Sequence, residues 1–297
     1  MTKIIPRKLI QHLEYVPGQT QPTPQEISPI SASSQVSLVN IDDILNGTIF
    51  YDSSMPVALR QALDHVGTEG IIANLSEFIA AKVIAEKAHD FWKKWHTVHT
   101  EENIGIDKKG LFYGRDEPVL IIVNGGGILT PERITQAYNE GLVDGSAKYN
   151  GAEFDCLLEG RLPSGITIPI YRIEEVKRGV PNIPHQFGVV MPYKIAQDTK
   201  SGLHKKKPFL KNPLVIARAT GSLDQLEAFY EKAKDSDGDV GNYHLFKGRD
   251  ASVSQGRVLF VSRDHDGLDG SDGLVNIGRF VGVGAGGAGA PKGGASA

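Results

Sequence analysis

Carboxylates are concentrated in one short stretch near the carboxyl end of this 297-residue chain. Residues 264–273 include a histidine, His265, and several aspartates, which are Asp264, Asp266, Asp269 and Asp272. Carboxylates held close together repel each other unless a cation, hydrogen-bond donors or bulk water compensates their charge. Calcium takes several oxygen ligands in relaxed geometry, and the intervening glycines allow a short loop to wrap an ion. The stretch therefore predicts a divalent-cation site for calcium, with an exposed acidic turn as the alternative.

A second acidic segment lies at 235–242, and its aspartates occupy every second position: Asp235, Asp237 and Asp239. This alternation resembles the first ligand positions of an EF-hand loop, but the twelfth position is Phe246 where that loop requires glutamate. The segment therefore predicts additional cation ligands and excludes a complete EF-hand. Asp-Gly pairs are also typical of turns, so a turn without metal remains the alternative here as well.

A catalytic role for His265 is a further hypothesis. A histidine flanked by carboxylates can act as a general base or as a ligand of a transition metal. Successive residues of an extended segment point in opposite directions, so His265 would need a partner from elsewhere in the chain. The sequence contains neither Gly-x-Ser-x-Gly nor His-Glu-x-x-His, and whether the protein is an enzyme stays open.

A glycine turn provides the second candidate site. The apolar run 118–123 predicts a buried strand, and a helix over 130–141 follows, with Thr130 as its cap. Between them lie Gly125, Gly126 and Gly127. Free backbone N–H groups at such a junction can bind an anion, which predicts a phosphorylated ligand at the three glycines and Thr130. A tight connection without ligand is the alternative, because the spacing matches no known nucleotide-binding motif.

The periodicity of apolar residues predicts an α+β fold. Helices are predicted at 54–67, 74–95, 130–141 and 222–234. Strands are predicted at 118–123, 154–158, 166–173, 188–193 and 214–217, and a hairpin is predicted from 256–263 and 274–283 around the acidic loop. The two strand–turn–helix units are separated by strands of antiparallel character. We therefore predict a mixed, largely antiparallel sheet with packed helices.

Composition divides the chain into four regions. Residues 1–37 are rich in proline and predict an extended arm, and residues 38–108 predict a helical segment. Residues 109–283 predict the mixed α+β domain, and residues 284–297 predict a flexible Gly/Ala tail. The arm and the tail bury little surface but can reach a neighbour. They therefore predict an assembling protein that self-associates through the N-terminal arm.

The overall charge and the apolar runs limit the location and the partners of the protein. The net charge is −3, and no basic excess indicates a nucleic-acid surface. The sequence has no apolar run long enough for a signal peptide or a membrane span, and its single cysteine, Cys156, excludes an intramolecular disulfide. These features predict a cytoplasmic protein without membrane or nucleic-acid partners. The predicted function is non-catalytic binding or assembly with a calcium site. The alternative is a hydrolase that uses the His265 loop with a metal, or that acts on a phosphorylated ligand at Gly125–Gly127.

Overall fold

The computed structural model describes residues 40–220, 222–262, 267–274 and 277–285. The helices are α1 (Ile41–Leu45), α2 (Met55–Val66), α3 (Leu75–Ile84), α4 (Asp90–Lys93), α5 (Pro131–Glu140), α6 (Gly151–Leu158), α7 (Ile173–Arg178), α8 (Tyr193–Asp198), α9 (Lys206–Lys211), α10 (Pro213–Ala219) and α11 (Leu223–Ala233). The strands are β1 (Thr48–Asp52), β2 (Ile71–Ile72), β3 (His96–Asp107), β4 (Glu117–Asn124), β5 (Ala147–Lys148), β6 (Ile170–Arg172), β7 (Phe187–Pro192), β8 (Gly202–His204), β9 (Val240–His244), β10 (Gln255–Val261), β11 (Leu268–Gly270) and β12 (Gly278–Val283).

Three predicted features lie outside the described residues. They are the N-terminal arm, most of the Gly/Ala tail, and Asp264, His265 and Asp266 of the acidic loop. Self-association through the arm therefore stays a prediction. Within the described ranges, no helix is both long and apolar enough to cross a membrane.

Two sheets form the framework. The larger sheet has the strand order β6-β7-β4-β3-β10-β11-β9-β8, with β5 paired to β10, and the smaller sheet has the order β1-β12-β2. The β6–β7 and β11–β9 pairs are parallel, whereas the long central pairs β3–β4, β3–β10 and β4–β7 are antiparallel. The predicted fold class, a mixed and largely antiparallel sheet with packed helices, is confirmed.

The centre of the larger sheet is covered on both faces, as the continuous apolar run of β4 predicts. Val119, Ile121 and Val123 face one way and belong to the core that includes side chains of α2, α5 and α6. Leu120 and Ile122 face the other way, into a core with α7, α8 and α10. All five side chains are fully buried, so β4 forms the middle layer of the molecule.

Two segments predicted as strands are helices, because each has a helix-capping asparagine that the apolar pattern obscured. Residues 154–158 belong to α6, where Asn150 and Glu153 form a reciprocal capping box. Residues 214–217 belong to α10, where the Asn212 side chain accepts the N–H groups of Leu214 and Val215. Proline at the first position of α10 further favours the helix.

The helix predicted at 74–95 begins where it was predicted but is shorter. The helix α3 ends at Ile84, because Ala85 adopts an extended conformation, and α4 is a single short turn. The next residues start β3 at His96, where threonine and valine favour a strand. The segment 38–108 therefore contributes strands to both sheets as well as helices.

The predicted hairpin was wrong in its second strand. After the acidic loop, β10 pairs briefly with β11, while β12 lies in the smaller sheet between β1 and β2. The apolar pattern of β12 indicates a strand correctly but carries no information about its partner. Phe280 of β12 pairs with Phe50 of β1, far away in sequence.

A buried ion cluster connects the central strands to the irregular edge of the larger sheet. Glu102 of β3 accepts a hydrogen bond from Arg218 Nε at 2.7 Å and one from Arg257 Nη2 at 3.1 Å. Arg218 lies on α10, and its Nη1 also donates to Asn242 Oδ1 at 2.7 Å and to the Tyr243 carbonyl at 3.0 Å. Glu102 and both arginines are at most 2% exposed in their side chains.

The charge of Glu102 stabilises this cluster. Burial opposes ionisation, but the charges of Arg218 and Arg257 outweigh it and hold the pKa of Glu102 below its usual value. Burial lowers the pKa of Arg257, while Glu102 opposes that change. Removing one partner of such a cluster leaves buried charge without compensation.

We expect Glu102→Gln to lower the free energy of unfolding by about 3–5 kcal/mol, because two buried guanidinium groups lose their counter-charge. Urea unfolding measures the change, with the exposed substitution Glu69→Gln as the control. Replacing all three residues, with Glu102→Leu, Arg218→Met and Arg257→Met, should recover much of the loss. A cost below about 1 kcal/mol for Glu102→Gln would show that the cluster contributes little to stability.

Candidate ligand-binding pocket

The acidic segment 235–242 is held together by the protein's own donors. The Asp235 carboxylate accepts the backbone N–H groups of Asp237 and Asp239 at 2.9 and 2.8 Å. Lys205 Nζ lies 2.9 Å from the Asp239 carboxylate and also donates to the Asp237 carbonyl. A lysine ammonium therefore takes the place next to Asp239 that the sequence predicted for a metal ion.

The described part of the acidic stretch 264–273 brings two carboxylates near each other. Asp269 of β11 accepts hydrogen bonds from the backbone N–H and the hydroxyl of Ser271, at 2.7 and 2.6 Å. Burial, together with the charge of Asp269, raises the pKa of Asp272. Among the residues that the structure describes, no group of three or more His, Cys, Asp or Glu side chains could hold a metal ion.

The glycine turn has the predicted anion-binding geometry, but the group bound there is a carboxylate of the protein itself. The N–H groups of Gly127, Ile128 and Leu129 donate to the Glu101 carboxylate at 2.9, 3.0 and 2.9 Å. A Cβ on Gly127 would lie 2.5 Å from Glu101, so glycine is needed for this close approach.

The other predicted members of that site serve the local structure. The N–H groups of Gly125 and Gly126 both donate to the carbonyl of His99, at 2.8 and 3.1 Å. The Thr130 hydroxyl accepts the N–H of Arg133 and so caps α5. The donors that the sequence assigned to a phosphorylated ligand are therefore occupied by Glu101 and by the strand next to them.

Glu101 titrates in an unusual range. Burial raises its pKa to about 7, although the N–H groups of Leu129, Ile128 and Gly127 favour the ionised form and oppose this rise. The carboxylate holds the turn between β4 and α5, so its protonation state bears directly on the stability of this junction.

A pocket of about 570 Å³ lies between α8 and the turn that follows β9. Its lining residues are Lys194, Gln197, Asp198, Thr199, Lys200, Ser201, His244, Lys247 and Gly248. Hydrogen bonds join the two walls: the Tyr193 hydroxyl donates to the Phe246 carbonyl at 2.9 Å, and the N–H of His244 donates to Ser201 Oγ at 2.9 Å. The pocket is therefore formed by the fold itself.

His244 is the buried polar side chain of this pocket. It is 5% exposed, and its ring stacks on Phe246 with the ring centroids 5.0 Å apart. Burial, reinforced by the charge of Arg218, lowers its pKa to about 4, so the ring is neutral at pH 7. Neither ring nitrogen makes a hydrogen bond of normal geometry within the described part of the chain, although the Thr199 backbone lies close enough to the ring to raise its pKa slightly against the effect of burial.

The electrostatics of the pocket are positive. Lys194 pairs with Asp198 at 2.7 Å, whereas Lys200 and Lys247 are exposed and form no ion pair with a carboxylate among the described residues. Behind His244 lies the Glu102 cluster, which has two arginines for one carboxylate. Arg218 Nη2 and Arg257 Nη1 also lack hydrogen-bond partners within the described ranges. The two arginines do not line the pocket, so they contribute positive potential and no donors, and this potential favours an anionic ligand.

Sequence reasoning did not find this pocket. Lys200 and Lys247 are far apart in the chain, and no spacing rule pairs a lysine before β8 with one after β9. The histidine alone was also uninformative, since nothing in the sequence indicates that His244 lies next to buried arginines.

A scan against protein-family models finds no match, and neither does a search among curated proteins. Among solved structures, one is described as "Accommodation of massive sequence variation in Nanoarchaeota by the C-type lectin fold". It is 24% identical to this chain, and the alignment covers 79% of this chain and 96% of that chain with a TM-score of 0.60. This similarity shows that the chain has the C-type lectin fold.

The raised pKa of Glu101 gives a prediction for pH dependence. Between its usual pKa of 4.5 and about 7, the folded protein keeps the proton that the unfolded chain has released. Glu101 therefore favours folding most below pH 4.5, and this contribution is lost as the pH rises through about 7. Each pKa unit corresponds to about 1.4 kcal/mol, so the loss is a few kcal/mol.

We expect the difference in unfolding free energy between the natural protein and Glu101→Gln to shrink from pH 5 to pH 8. Urea unfolding at several pH values measures this difference. The contributions of the buried histidines cancel in it, because these residues titrate in both proteins. Glu69→Gln serves as the control and should show a constant difference. A constant difference for Glu101→Gln as well would exclude a raised pKa.

Proposed function

We propose that this chain is a non-catalytic binding protein whose α8–β9 pocket recognises a negatively charged group on its ligand. The observation that supports this proposal most directly is the buried His244, which lies between exposed lysines and buried arginines. Its ring nitrogens have no hydrogen-bond partner of normal geometry in the described chain. A neutral imidazole has one N–H to donate, for which an oxyanion would compete with the Thr199 backbone, and Lys200 and Lys247 can supply charge-assisted donors at the rim.

The division between framework and pocket supports a binding role. The Glu102 cluster fixes β3, β10 and α10 from within the core, while Lys194, Lys200 and Lys247 are exposed. Exposed residues away from such clusters can change at little cost in stability. The nanoarchaeal protein is described as accommodating massive sequence variation in the same fold, and a comparable separation in this chain would let recognition residues vary freely.

Binding is favoured over hydrolysis by the occupancy of the glycine turn. Its donors already bind Glu101 and the His99 carbonyl, so a phosphorylated substrate at Gly125–Gly127 would have to displace them. The other catalytic candidate, His265, lies outside the described residues. No described contact favours a reaction over binding at the α8–β9 pocket.

Titration with inorganic phosphate and with sulfate at constant ionic strength tests the pocket. In ¹H–¹⁵N NMR spectra, we expect the largest shifts at Ser201, His244 and Gly248. Lys200→Gln with Lys247→Gln should weaken binding about tenfold or more, because two charge-assisted contacts are lost. Added sodium chloride should weaken it further through screening.

The charge-matched control is Lys93→Gln with Lys148→Gln, which removes two exposed lysines elsewhere and should leave the affinity unchanged. Shifts spread over all surface lysines, or equal affinity in both double variants, would contradict recognition at this pocket.

Calcium at the acidic hairpin loop is a second candidate for the function of this chain. The observation in its favour is the proximity of Asp269 and Asp272, since the charge of Asp269 adds to burial in raising the pKa of Asp272. Asp264 and Asp266 would complete the ligand set proposed from the sequence. Asp235, Asp237 and Asp239 are less suited, because Lys205 and backbone N–H groups already engage that segment.

If calcium binds there, a concentration one hundred times the Kd should stabilise the fold by about 2.7 kcal/mol and raise the melting temperature. Excess EGTA should reverse the rise, and Asp269→Asn with Asp272→Asn should abolish it. Asp64→Asn with Glu69→Gln, a control of equal charge change at exposed positions, should retain it. An unchanged melting temperature at millimolar calcium would dismiss the calcium site.

A further inference from the structure

We propose that a second cavity, bordered by α7, α9, α10 and α11 and open on one side, binds an aliphatic carboxylate. This proposal is independent of the function assigned to the α8–β9 pocket. The cavity has a volume of about 560 Å³, within the range of small-molecule sites. We call it the helical groove.

The floor of the helical groove is aliphatic. Ile79 of α3 and Leu226 of α11 are buried, at 1% and 5% exposed, and Val176 of α7 adds to the same wall. Ile216 and Leu210 are partly buried and complete the lining from α10 and α9. A concave surface of branched side chains offers shape and apolar area to a hydrocarbon chain.

Leu223 marks the open side of the groove. It is 60% exposed, the highest value among the large exposed hydrophobic residues of the described chain. A single exposed leucine needs no explanation, but this one lines a concave apolar site. A bound hydrocarbon chain would remove its side chain from water together with the floor.

The charged residues that line the helical groove are all basic. Lys177 and Arg178 stand at the end of α7, and Lys211 stands at the end of α9, while the lining contains no aspartate or glutamate. Arg178 Nε donates to the Glu174 carbonyl of its own helix. Lys177 and Lys211 are exposed and form no ion pair within the described ranges. An aliphatic floor with a cationic rim is complementary to a hydrocarbon chain that ends in a carboxylate.

The chain-length dependence of binding tests the floor. Isothermal titration calorimetry with hexanoate, octanoate and decanoate should show the affinity rising by up to about fourfold per added CH₂, which is ~0.8 kcal/mol per buried CH₂. Leu223→Asp should weaken decanoate binding at least tenfold. Leu111→Asp, an exposed leucine elsewhere, should not change it.

The charge preference tests the rim. Lys177→Gln with Lys211→Gln should weaken decanoate but leave 1-decanol unaffected, whereas Lys93→Gln with Lys148→Gln should leave both unchanged. Equal affinity for decanoate and 1-decanol in the natural protein would overturn the carboxylate assignment. Decanoate binding that is insensitive to Leu223→Asp would overturn the site. Neither result touches the phosphate titration, so the two proposals fail separately.

Discussion

The carboxylate of Glu102 between two guanidinium groups is the interaction on which the irregular half of this molecule depends. Its neighbour across the strand pair is Arg257, directly opposite in register, and its other partner is Arg218 from a helix. Arg218 extends the cluster to β9 and, through the Leu268 carbonyl, to β11, and these strands are short and share few ladder hydrogen bonds. A side chain with a rigid fork of donors supplies the connections that such short strands cannot provide. The same excess of arginine adds positive potential next to His244 and helps to keep its ring neutral.

Two neighbouring glutamates of β3 organise opposite faces of the sheet. Successive side chains of a strand point to opposite sides, so Glu101 faces the turn before α5 and Glu102 faces α10. Both carboxyl groups are buried, but different neighbours offset the free-energy cost of burying them. Glu102 is held ionised by arginines, whereas Glu101 has only neutral N–H groups and takes up a proton near neutral pH. One strand thereby fixes a charged cluster and a pH-dependent turn.

Local sequence signals predicted the regular elements of this fold. Features that depend on contacts between distant residues could not be predicted from them. The apolar run of β4 and the apolar periodicity of α11 were sufficient to predict those elements. The capping asparagines of α6 and α10 were overlooked, although their signal is local and readable. The partners of β12 and Glu102 lie more than one hundred residues away, and one sequence contains no measure of such distances. The glycine turn was predicted to bind an anion, but its occupant, Glu101, could come only from the pairing of β3 with β4.

The central position of β12 in the smaller sheet has a consequence for biosynthesis. β1 and β2 each pair with β12, so neither has its strand neighbour until the ribosome has released residue 283. Contacts of such long sequence separation slow folding, because a large loop must close before they form. Until then α2 lacks its packing against Phe280 of β12. We therefore expect the smaller sheet to form only after β12 has been synthesised.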